Sequence, residues 1–179
     1  MRRRMITLLL LVFPSCIPPP DPGMTLSSVP PATARIDAEL ASVTVEPASR
    51  DRAVNPLPPT LAPLLQLWQA ALQDALARQA IFRSGAPRRV SLVVKVLDFS
   101  VSGDTLTLFA RYQLFDNPAG DPVFSADVMT NMPLANGADT VSAIRNRTLA
   151  TRAIQANITQ FLDQLAVFAR QPRTGSPAP

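Results

Sequence analysis

Few side chains in this chain offer chemistry, and the missing ones limit the possibilities further. There is no histidine among the 179 residues, which removes histidine-dependent triads and histidine metal sites. The single cysteine, Cys16, rules out an internal disulfide and leaves zinc and iron–sulfur centres without a ligand set. Only six glycines are present, and no Gly-rich phosphate loop is among them. Asp104, Asp116 and Asp121 fall at expected turns and Asp139 at an expected helix cap. That leaves Glu46 and Asp98 as carboxylates without an evident structural task. A two-carboxylate hydrolase would need them about 5–10 Å apart in a cleft. Without a nucleophile, base and oxyanion site, the expectation is a non-enzymatic chain with no cofactor.

The elements that must position these residues begin with an address. Residues 1–16 read MRRRMITLLLLVFPSC: Arg2, Arg3 and Arg4, an apolar run from Met5 to Phe13, then Ser15 and Cys16. This is the pattern of a secretory signal, and the run is too short for a bilayer, which needs about 20 apolar residues. It also resembles a bacterial lipoprotein signal, which implies a lipid on Cys16; an ordinary secretory signal with Cys16 incidental is the alternative. The three arginines account for most of the basic excess: they leave 14 of 17 Lys+Arg against 13 Asp+Glu. After them only Arg88 and Arg89 are adjacent cations, so the clustered basic surface of a nucleic-acid binder is absent. Residues 16–36 carry six prolines and read as an extended tether. Since Ile17, not Asp, follows the cysteine, resemblance to such lipoproteins implies the outer membrane, on its periplasmic face. Residues 37–170 form the expected domain and 171–179 a Pro/Gly/Ser tail.

Within the domain, Leu40 to Glu46 alternates as a strand, with Ala41, Val43 and Val45 sharing one face. A proline-bearing loop, Ala48 to Thr60, precedes a helix over Leu61 to Ala80, whose stripe is Leu61, Leu64, Leu65, Trp68, Leu72, Ala75 and Leu76. Val90–Val101, Thr105–Asp116 and Val123–Thr130 read as a meander, turning at Ser102-Gly103-Asp104 and at Asn117 to Asp121. Asp139 to Arg170 reads as a second helix with Ile144, Ile154, Ile158, Phe161, Leu162, Leu165 and Phe168 on its stripe. The Asn-x-Thr triplets at Asn146 and Asn157 read as chance. The expected fold is α+β in two layers: a small, mostly antiparallel sheet in the order β-α-β-β-β-α with both helices on one face.

Pairing Val101 with Thr105 and Asp116 with Pro122 gives one apolar face. Leu92, Val94 and Val96 then oppose Leu114, Tyr112 and Ala110, which oppose Phe124, Ala126 and Val128. The same register places Leu97, Phe99, Phe109 and Met129 together on the opposite face as a candidate partner-binding cluster. Lys95 faces Arg111 there, with Asp127 beyond. Two cations directly opposite repel, and an anionic group such as a phosphorylated lipid would relieve that. A half-wet sheet with a surface Arg111–Asp127 pair is the plain alternative.

LASVTVEP at Leu40–Pro47, LQDALARQ at Leu72–Gln79, ARYQLFDNPAGDPVFSADV at Ala110–Val128 and the closing RAIQANITQFLDQL resemble the lipopolysaccharide-assembly lipoprotein family. Tyr112, Leu114, Asp116 and Gly120 fall on that family's Tyr-x-Leu-x-Asp strand and turn. The resemblance implies a small sheet carrying two helices, an outer-membrane β-barrel partner, and lipopolysaccharide as a ligand. Accessory lipoproteins of other lipid-transport systems share the pattern, so an envelope transport complex stands as the alternative partner.

Overall fold

The computed structural model describes residues 31–48, 62–116, 120, 122–134 and 147–171. Cys16, most of the tether, most of the loop after Ala48, Asp121, Asp139, Ile144 and the tail beyond Gln171 lie outside them. The elements are β1 (Glu39–Pro47), α1 (Ala62–Gln79), β2 (Arg89–Ser102), β3 (Thr105–Asp116), β4 (Pro122–Pro133) and α2 (Arg147–Arg170). They form one four-stranded sheet in the order β1-β2-β3-β4. β1 runs parallel to β2, as the intervening helix requires, and the other pairs are antiparallel. The fold is α+β, with both helices on one face.

Alternation builds the sheet's inner face. Leu92, Val94 and Val96 of β2, Leu108, Ala110, Tyr112 and Leu114 of β3, and Val128 of β4 join a single core with both helices. α1 contributes Trp68, Ala71, Leu72, Ala75 and Leu76 and lies over β1; α2 contributes Ile154, Ile158, Phe161, Leu162 and Leu165 and lies over β3 and β4. The packed side extends ahead of residue 37. Ile36, only 3% exposed, joins the core, and its N–H donates to the Ile81 carbonyl at 2.7 Å.

Two bulges change faces that alternation alone assigns. In β1 the register shifts between Leu40 and Ser42, so Ala41 is exposed while Leu40 packs against the core and Val43 and Val45 are buried. Ala41 therefore does not share a face with Val43. In β2 the register shifts between Val96 and Asp98: Val96 pairs with Ala110, Asp98 with Phe109 and Phe99 with Leu108. Leu97 is the extra residue. Beyond it every β2 side chain changes side, so Phe99 sits in the core at 6% exposure. The third irregularity is minor: Phe115, not Asp116, pairs with Pro122.

Polar groups also enter the core. Asn157 of α2 is fully buried. The Tyr112 hydroxyl donates to its Oδ1 at 2.7 Å, and its Nδ2 donates to the Val128 carbonyl at 3.1 Å and Thr130 Oγ1 at 3.0 Å. The Tyr112 ring stacks on Phe161, with centroids 4.1 Å apart. Burial holds this phenol well above the ordinary tyrosine range, with a smaller opposing pull from the Trp68 indole.

Candidate functional site

The helices leave the opposite sheet face uncovered among the described residues, and register fixes what that face carries. One row crosses all four strands: Glu46 pairs with Lys95, Lys95 with Arg111, and Arg111 with Asp127. Formal charges in that row run minus, plus, plus, minus. The sequence pattern showed the two facing cations; Glu46 as the fourth member required the parallel β1–β2 register.

The two cations stand differently. Arg111 forms a two-pronged pair with Asp127, Nε to Oδ1 at 2.7 Å and Nη2 to Oδ2 at 2.8 Å. The hydrogen bond from Arg111 holds the Asp127 carboxyl below its ordinary range and raises the guanidinium in turn. Both side chains remain more than two-fifths exposed, so the pair contributes on the order of 0–1 kcal/mol. Lys95, the only lysine in the chain, has no ion pair or side-chain hydrogen bond among the described residues. It borders a concavity of about 330 Å³ lined by Glu46, Pro47, Ala48, Lys95, Leu97, Arg111 and Gln113.

The expected apolar cluster is only partly assembled. Phe109 and Met129 are register partners on the uncovered face, and Met129 is 54% exposed. Leu97 lines the concavity but, as the bulged residue, is only 6% exposed. Phe99 does not belong to the surface: the bulge turns it into the core.

Glu46 and Asp98 do not line one recess. Because Leu97 is bulged, Asp98 pairs with Phe109, two ladder positions from the Glu46–Lys95–Arg111 row, about 7 Å along the sheet. It is 8% exposed, accepts a hydrogen bond from Ser100 Oγ at 3.1 Å, and does not line the concavity. Asp116 also has a structural task. Arg88 Nε and Nη2 grip its two oxygens at 2.6 and 2.5 Å, clamping the entry of β2 to the end of β3. Among the described residues no group of three or more ligating side chains could hold a metal.

No protein-family model matches the chain, and no curated protein is significantly similar to it. Solved structures with a similar arrangement include a Xanthomonas campestris protein of the family DUF330 (16% identity, 79% of this chain and 89% of that one, TM-score 0.48). Another is described as a putative lipoprotein from Caulobacter crescentus (19% identity, 73% and 92%, TM-score 0.43). A third is a hypothetical protein of Chlamydia trachomatis (8% identity, 74% and 98%, TM-score 0.48).

Proposed function

We propose that this chain is a non-enzymatic lipoprotein of the bacterial envelope. It is anchored through Cys16 to the periplasmic face of the outer membrane and docks the helix-free face of its sheet on an envelope partner. The barrel that inserts lipopolysaccharide is the partner the sequence resemblance favours. The observation that carries the reading is the uncovered face itself, with Phe109 and Met129 together on it and Met129 largely in solvent. The signal-like Met1 to Cys16 stretch supports the anchoring. No helix among the described residues is long and apolar enough to cross a membrane.

Crosslinking in intact cells, followed by recovery through the C-terminal tail, tests the docking. Capture of the lipopolysaccharide-exporting barrel, lost on joint Phe109→Ser and Met129→Ser substitution, is the expected result. Capture of an inner-membrane lipid transporter would move the protein to the accessory-lipoprotein role. Capture of nothing would overturn docking as the function of this face. Radiolabelled fatty acid incorporation that survives Cys16→Ser would overturn the anchor.

A further inference from the structure

Two like charges in register on adjacent strands are unfavourable, yet Lys95 and Arg111 stand so at the edge of the concavity. Asp127 answers only one of them. Its grip on the Nε and Nη2 edge leaves Arg111 Nη1 without a partner among the described residues. Lys95 and the Gln113 amide are also without side-chain partners among those residues. The three residues that carry these unused donors thus line the same recess, together with Leu97. A bare anion would meet them favourably but would also meet Glu46, which lines the recess and pairs in register with Lys95. Glu46 closes no ion pair with Lys95. The recess therefore presents a cationic side and an anionic side one strand apart, about 5 Å.

We infer that this recess binds a phosphate–ammonium zwitterion. The phosphate sits on Lys95, Arg111 Nη1 and the Gln113 amide, the ammonium sits against Glu46, and the two charges are about one strand spacing apart. Asp127 holds the guanidinium in place and does not touch the ligand. The inference goes beyond the proposed docking face and rests on that reading only in taking the face as uncovered. The chemistry fits an ethanolamine-type phospholipid headgroup or a free phosphoethanolamine.

Lys95 as the sole lysine gives a direct probe. Reductive ¹³C-methylation of the full-length Cys16→Ser chain places a charge-retaining NMR reporter on its ammonium. O-phosphoethanolamine is expected to shift that reporter saturably, with at least fivefold tighter binding than inorganic phosphate. Glu46→Gln should erase that preference, weakening the zwitterion and tightening inorganic phosphate, which then no longer meets a carboxylate in the recess. Lys95→Met, followed by calorimetry, should weaken both at least fivefold with the thermal midpoint held. In vesicles, ethanolamine-headgroup lipid should be preferred over glycerol-headgroup lipid if the source is a membrane. Binding of the soluble zwitterion without any vesicle preference would assign the site to the free compound. Phosphate binding as tightly as the zwitterion to the Cys16→Ser chain, or tighter binding of the zwitterion by the Glu46→Gln chain, would overturn the inference, as would no shift by either probe in a folded chain. Partner capture through Phe109 and Met129 would be unaffected by those failures, so the two readings fall separately.

Discussion

Asn157 illustrates how much one side chain can hold together. Its amide satisfies the Tyr112 hydroxyl, the Val128 carbonyl and Thr130 at once, and removing it strands groups that water cannot reach. Asn157→Ala should therefore destabilise the fold by about 3 kcal/mol, against about 1–2 kcal/mol for Tyr112→Phe, as read by urea unfolding. Tyr112 is the only tyrosine in the chain, so its ionisation can be followed by ultraviolet absorbance without overlap. Its folded value is raised. The stabilisation is thus fully present below the unfolded value near 10 and is lost as pH climbs above it. Phenolate absorbance should appear only with unfolding, and Tyr112→Phe should flatten the alkaline loss of stability. The sign reverses at Asp127, whose folded value is lowered. Its contribution is present above the ordinary carboxylate range and fades as pH falls through the lower folded value. Because the pair is so exposed, Asp127→Asn should change acid stability by less than about 1 kcal/mol.

At the scale of elements, the bulge at Leu97 decides which surface the protein presents. Strict alternation puts Phe99 beside Phe109 on the open face, whereas one extra residue returns it to the core. Phe99→Ala should cost about 3 kcal/mol, while Met129→Ala should stay within about 0.5 kcal/mol. Near-equal effects in thermal unfolding would contradict the bulged register. The end of α1 offers a second check. Ala80 adopts φ of 49°, the left-handed position where helices commonly place glycine. Ala80→Gly should raise stability by about 1 kcal/mol, because it relieves the Cβ crowding that an L-residue meets there. Both effects live in backbone geometry. Strand and helix existence was legible because alternation and the three-to-four spacing are local, and so was the register of the meander's central rows. The bulges were not, because an inserted residue leaves a sequence that still alternates on either side of it.

For the whole molecule, both helices lie on one face of the sheet, which leaves the other uncovered among the described residues. The Glu46-Lys95-Arg111-Asp127 row exists only because four strands align there. Lys95 facing Arg111, with Asp127 beyond, could be derived from hairpin lengths. Glu46 could not, because a parallel strand joined through a helix has no turn to set its register. The same limit explains why Glu46 and Asp98, the two carboxylates without evident tasks, proved to have separate surroundings. If the open face is the working surface, joint Phe109→Ser and Met129→Ser substitution should lower partner capture at least tenfold and shift the thermal midpoint by only a few degrees, since Met129 is already in solvent.

The sequence by itself determined the α+β class, the element order, the helical stripes and the inner apolar rows of the sheet. Each follows from periodicities that burial against a single layer enforces. Tertiary structure alone decided the fate of Leu97 and Phe99, the burial of Asn157, and the place of Glu46 beside Lys95. Those depend on where a bulge falls and on which distant strand lies alongside, and both are settled by packing between segments far apart in the chain.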